Sequence, residues 1–279
     1  MTIQWFPGHM AKAKREILKQ LKQIHLIVEI IDARIPFSSR NPLVDEFCQH
    51  KPRLIVLSKS DLADPKKTQQ WLSYFKEKLN CYSIAINTHQ KKDIGKVTRL
   101  CQSIMTDRVK LKKFQTSALM IVGIPNVGKS AFINQLAKRK IAKVENRPAV
   151  TQRQQWIPIG NRLTLLDTPG ILWPSFESDS IGWRLSATGA IKKHIFSATH
   201  IVQHLTTYLS KFYPNWLSTG YSIDTPPTAN DHIIQLIGQK RGCLLPGGAI
   251  NEEKVLDIIL QDFRSGRLGT ITLETAPLD

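Results

Sequence analysis

Residues 123–130, Gly-Ile-Pro-Asn-Val-Gly-Lys-Ser, limit the possible folds more than any other stretch. They match the G-x-x-x-x-G-K-[ST] phosphate loop, which works only between a buried strand and the start of a helix. Both neighbours are present. Leu119 to Val122 is a short apolar run with strand character, and Ala131 to Arg139 has helical composition. Gly123 and Gly128 allow the tight backbone turn that aims successive N–H groups at one phosphate. The N-terminus of the following helix adds partial positive charge. The pattern gives Lys129 the β- and γ-phosphates and gives the Ser130 hydroxyl a Mg²⁺ ion. Asn126, Val127 and Ala131 complete the expected cradle.

Around this loop the chain alternates short apolar runs with helical segments. Leu26 to Ile31, Arg53 to Leu57 and Tyr82 to Ile86 read as strands. Helices are expected over Pro42 to His50, Lys66 to Leu79 and Lys96 to Met105. Such alternation predicts an α/β fold, a mainly parallel sheet with helices on both faces. Trp156 to Ile159 and Leu163 to Leu166 read as a hairpin turning at Gly160-Asn161. From Gly182 the pattern is helical, over Trp183 to Thr188, Ala198 to Tyr213, Asp231 to Leu236 and Asn251 to Ser265. The expected division is a nucleotide-binding domain over 1–178 and a smaller helical domain over 179–279.

Two further strand ends carry chemistry. Asp167-Thr-Pro-Gly170 suits a γ-phosphate sensor, with Asp167 holding Mg²⁺ through water and the Gly170 N–H facing the phosphate. Thr151, between the phosphate loop and Asp167, has the residue type and place for the first-switch threonine, a further Mg²⁺ ligand. Ser58-Lys59-Ser60-Asp61 is similar to the Asn-Lys-x-Asp guanine motif. A carboxylate at Asp61 can accept from the N1–H and 2-amino group of guanine, and adenine offers no such donors. Asn87 and Thr88, at the next strand end, would flank the base. The order is unusual, because the guanine motif precedes the phosphate loop and Asp167 comes last. The same sheet forms if the ordinary ends are joined, through residues 89–117, and the chain is opened after the second switch.

Charge separates the two halves. The chain carries a formal net charge of +17, and residues 190–279 contribute eight basic and eight acidic side chains. The whole excess therefore lies before residue 190, in groups at Lys12 to Lys22, Lys91 to Arg99, Arg108 to Lys113 and Lys138 to Arg147. One nucleotide needs few cations, so a larger polyanion such as RNA is expected, with a solvated basic surface as the alternative. Trp5 and Phe6 beside the first group could stack on bases. Four scattered cysteines, Cys48, Cys81, Cys101 and Cys243, show no metal-binding spacing and suit reduced thiols in a cytoplasmic protein. The N-terminus lacks the apolar core of a signal peptide, and no stretch is apolar for long enough to span a membrane.

Taken together, Gln4-Trp-Phe-Pro-Gly-His-Met-Ala-Lys12, Asp32-Ala-Arg34, Gly123 to Ser130, Asp167 to Trp173 and Lys240-Arg-Gly-Cys243 resemble the circularly permuted GTPases of the YlqF/YawG family. These pieces span nearly the whole chain. The resemblance implies a permuted GTPase domain, a helical C-terminal domain, GTP and Mg²⁺, and work in late assembly of the large ribosomal subunit. A monomer is expected. The chain departs from the family pattern at Ser58, where Asn is usual, at Ala131, where Thr is usual, and at Ala149, where Gly is usual. Ile171 follows Gly170, where many GTPases carry the glutamine that orients the attacking water. Either hydrolysis is slow, or another group substitutes. His9, in a Pro-Gly-His turn, is the candidate, since an imidazole can orient or deprotonate water. Three functions remain open on sequence: a GTP-hydrolysing assembly factor, an rRNA-binding protein with a regulatory and nearly non-hydrolysing site, and a GTPase acting on proteins or membranes. The third calls for an amphipathic or lipidated end, and the sequence has neither.

Overall fold

Strand Leu26–Asp32 (β1) is buried along its whole length, as expected of a central strand covered on both faces. In the computed structural model, which describes residues 17–47, 51–109, 117–138, 155–159, 163–168, 178–191, 197–224 and 230–277, it is joined by five more strands. These are Arg53–Ser58 (β2), Tyr82–Ala85 (β3), Ser117–Val122 (β4), Gln155–Ile159 (β5) and Leu163–Asp167 (β6). The sheet order is β3-β2-β1-β4-β6-β5. Every pairing is parallel except that of β5 with β6, the expected hairpin at the edge. The phosphate-loop strand β4 thus lies beside β1, inside the sheet, although half the sheet precedes it in sequence. That is the permuted α/β arrangement expected from the motif order.

Alternation along the strands sorts the side chains to two faces. Val28, Ile30, Val56, Ile121 and Leu165 pack against Lys91–Val109 (α3) and Lys129–Ala137 (α4). On the opposite face Ile31, Ile55 and Leu57 meet Trp71 and Phe75 of Pro65–Glu77 (α2). Ile27, Met120, Val122 and Leu166 meet Ile17, Ile24 and Val44, the last from the short helix Pro42–Phe47 (α1). Asp64 caps α2 by accepting from the Lys66 and Lys67 amides, and Pro65 supplies a pre-set first position.

Asp179–Thr188 (α5), Ala198–Phe212 (α6), Trp216–Tyr221 (α7), Asn230–Lys240 (α8) and Glu252–Ser265 (α9) form the helical second half. Their apolar faces join the same buried cluster as one face of the sheet. The chain then returns to the sheet domain. The Ile271 amide donates to the Leu62 carbonyl at 3.0 Å, and the Leu273 amide donates to Arg34 at 2.7 Å.

Several boundaries differ from expectation. Helix α3 extends beyond Lys96 to Met105 at both ends, because Ile94, Val97, Cys101, Ile104 and Met105 keep a continuous apolar stripe among basic residues. Helix α8 runs on to Lys240 instead of stopping at Leu236. The short α7 was not expected; burial of Trp216, Leu217 and Tyr221 forms it despite Gly220. Around the first basic group, Lys12 to Lys22, residues 17–20 are helical and Leu21–Gln23 tighten into a 3-10 turn, while 12–16 lie outside the described residues.

Candidate functional site

The carboxyl ends of the parallel strands β1, β2, β4 and β6 converge on one edge, where α/β sheets bind ligands. Loop 123–128 leaves β4 there and enters α4. Gly123 has φ +152°, and a Cβ on it would run into the Ile30 carbonyl. Gly128 caps α4 at φ +96°. Both positions require glycine for the backbone alone. Val127 is buried beneath the loop, and Ser130 and Ala131 lie in the first turn of α4, partly exposed.

Lys129 is buried at that turn. Its Nζ donates to the Gly123 carbonyl at 2.9 Å and to the Ile124 carbonyl at 2.8 Å, so the cation folds over its own loop. Burial pushes its pKa down to about 8, opposed by the Asp167 charge. Asp167 ends β6 and is 2% exposed. Burial raises its carboxyl pKa to about 6, against the pull of Lys129 and the Thr168 amide. Its Oδ1 is buried with no hydrogen-bond partner among the described residues. A buried, unsatisfied carboxylate oxygen beside a phosphate loop is costly unless a cation completes it. A hard oxygen donor in this position fits Mg²⁺. Thr168 fixes the strand end by donating its hydroxyl to the Ile121 carbonyl at 2.7 Å.

Ser58 ends β2 opposite Asp32. Its hydroxyl is fully buried and lies within hydrogen-bond reach of the Ile31 and Val127 carbonyls. This first residue of the guanine-like motif ties β1 and β2 to the phosphate loop. Lys59 adopts φ +55°, and its Nζ donates to Asp32 at 2.8 Å and to the Asn126 carbonyl at 2.6 Å. Ser60 to Leu62 form one 3-10 turn, which leaves Asp61 exposed at the rim. The Ser60 amide donates to Ile86, so this turn is tied to the end of β3. Asn87 follows Ile86, and its side-chain oxygen accepts from the His89 amide at 2.9 Å; Thr88 is buried, and its methyl group lies near Gly128. The structure therefore gathers residues 58–61, 87–88, 123–131 and 167. His9, Thr151 and Gly170 lie outside the described residues.

Sequence reasoning missed a polar ring behind these loops. Arg34 grips Asp32 in bidentate fashion, Nε to Oδ1 at 3.0 Å and Nη2 to Oδ2 at 2.8 Å. Though burial opposes it, the charges of Arg34 and Lys59 hold the Asp32 carboxyl far below the usual carboxylate range. The Asp32-Ala-Arg34 motif was visible; its partners on the last helix, 230 residues away, were not. The Asn126 amide leaves the phosphate loop altogether and donates to the Gly189 carbonyl at 2.6 Å. No local pattern announces that contact.

Comparison with known proteins agrees with this geometry. A family described as "50S ribosome-binding GTPase" matches residues 118–217. The protein named "Ribosome biogenesis GTPase A" from Priestia megaterium is 45% identical over 280 residues, covering 98% of this chain and 97% of that one. The protein of the same name from Thermotoga maritima is 30% identical over 98% of this chain and 94% of its own. A crystal structure of GNP-bound YlqF from T. maritima superposes with a TM-score of 0.68 at 26% identity, covering 95% and 98% of the two chains.

Proposed function

The chain belongs to the family of ribosome biogenesis GTPase A, and from that membership we propose that it hydrolyses GTP while acting in late maturation of the large (50S) ribosomal subunit. The observation that carries the reading is the convergence of loop 123–130, the Ser58–Asp61 turn and Asp167 on one sheet edge. The N–H groups of the phosphate loop and the start of α4 bind the phosphates, and Lys129 swings from its own carbonyls onto the β- and γ-phosphates. Asp61 selects guanine from the rim. Ser130 and Asp167 would hold Mg²⁺, with Thr151 as the further ligand. The ion would neutralise charge developing on the phosphate oxygens. Gly170 would face the γ-phosphate, and Ile171 would leave the attacking water to His9.

The partner follows from charge. The basic excess before residue 190 supplies contacts to rRNA phosphates, and the neutral helical half supplies contacts to shape. The protein works in the cytoplasm as a monomer, without a membrane. No described helix is long and apolar enough to cross one.

The deciding experiment measures GTP turnover with and without large subunits, beside co-sedimentation across a salt series with GTP analogue, GDP or no nucleotide. Expected are subunit-stimulated turnover, weaker binding as salt rises and stronger binding with the GTP analogue. Replacing His9 with Ala should cut the stimulated rate at unchanged GTP affinity. Binding that ignores both salt and nucleotide overturns the ribosomal reading. Unstimulated, negligible turnover with tight binding favours the regulatory rRNA-binding alternative.

A further inference from the structure

Asn126 stands in the left-handed region at φ +61°, a conformation that asparagine tolerates better than most non-glycine residues and that its contacts here fix. It is held from two directions. Lys59, from the guanine side, donates to its carbonyl, and its own amide donates to Gly189. Gly189 is the left-handed residue that closes α5, at φ +80°. The same helix end is gripped by Arg264 of α9, whose Nε donates to Ala187 at 2.8 Å and whose Nη2 donates to Ser186 at 2.7 Å. The Arg264 carbonyl in turn accepts from Arg34 Nη1 at 3.4 Å, and Arg34 stacks over Phe263. With Asp32 and Lys59 the contacts run from the guanine turn through the helical half and back to the phosphate loop.

We propose that the helical C-terminal half sets the shape of the phosphate loop directly through the Asn126–Gly189 hydrogen bond, with Arg264 as the positioning residue that holds the end of α5 in place. The proposal rests on loop 123–130 being the GTP site. The Gly189 amide already reaches the Ser186 carbonyl; Arg264 adds a second donor there and supplies one to Ala187, which fixes the direction of the Gly189 carbonyl that follows. If the helical half shifts, Asn126 loses its amide partner and relaxes from its left-handed conformation. The N–H groups of residues 127–130 then lose their common aim. The link is reciprocal, so a nucleotide that needs the aimed loop favours the docked helical half. This route is separate from the covalent connection between β6 and α5.

The test is a double-mutant cycle on the full chain, read by fluorescent GDP and GTP-analogue affinity. Arg264→Ala and Asn126→Ala should each weaken both nucleotides by about ten-fold. The double variant should be no weaker than the worse single one, because both substitutions break one route. Arg264→Lys, which keeps the charge but not the two-pronged grip, should fall in between. A merely structural Arg264 lowers the unfolding temperature but leaves the affinity of the folded protein native, and that result overturns the proposal. So does a double variant whose losses multiply. Should Arg264→Ala not fold, Arg264→Gln takes its place in the cycle with the same criteria. Native protein that binds neither nucleotide overturns the GTP-site reading together with this one, whereas native binding with unaffected variants overturns this one alone.

Discussion

Lys129 and Asp167 are each held in an environment that disfavours their charge. With a pKa near 8, Lys129 is about half neutral at pH 8 in the nucleotide-free protein. Phosphate binding restores the cation, so GTP binding at pH 8 should take up about half a proton. Calorimetric titration in buffers of different ionisation heat reads this directly, and a buffer-independent heat refutes it. Asp167 behaves in the opposite sense. Its folded pKa of about 6 exceeds its unfolded value of 3.8, so the folded state binds more protons between those limits. Stability of the nucleotide-free protein is therefore greater below pH 4 on this account and is lost as pH rises to 6, by roughly 3 kcal/mol in all. Asp167→Asn should unfold at higher temperature than native at pH 7.5, with the gap closing towards pH 4. At the rim, Asp61→Asn should lose guanine preference over xanthine, because the donors of guanine then face a donor. Competition with xanthine nucleotide checks this, and retained guanine preference counts against the assignment.

At the scale of elements, the strands and phosphate loop were legible for a physical reason. Leu119 to Val122 is apolar throughout, and Leu26 to Ile31 apolar but for one residue, because helices cover both faces, and glycine at 123 and 128 answers a steric need. What hid from sequence depends on distant partners. Glu29 interrupts β1 with a fully buried carboxylate, which is acceptable because Arg53 of β2 pairs with it while also pairing with Asp45 of α1. Removing one partner leaves the other charge buried, so Arg53→Ala should cost about 3 kcal/mol in denaturant unfolding. A cost below about 1 kcal/mol would mean that water replaces the arginine. Ser58 shows the reverse case. Its motif was recognised, but its burial under the phosphate loop follows from pairing between strands that no local pattern reveals.

The whole molecule is fastened by the chain's return after α9. Glu274 is buried and accepts from the Phe37 and Ser38 amides and the Ser38 hydroxyl, with Arg184 at 3.9 Å. Lys67 of α2 reaches into rings of α6 and its end, about 5 Å from Tyr208, Phe212 and Tyr213. Glu274→Ala strands the two amides, and should cost about 2–3 kcal/mol and speed hydrogen exchange at residues 37 and 38. Unchanged exchange there would show that the segment does not hold the loop. None of this fastening was readable from the sequence, since Ile271 to Ala276 carries no motif that names its distant partners.

The strand order also governs how the chain can be made. Val28 pairs with Leu54 soon after synthesis begins, but Leu26 waits for Leu119 and Ile121 for Asp167. A growing chain that has reached α3 therefore holds β1, β2 and β3 alone, with β1, buried along its whole length in the finished fold, as an open edge. Until β4 arrives to close that edge, the nascent protein exposes the surface most prone to pair with a second copy of itself, and the speed of translation through residues 60–122 becomes part of its yield.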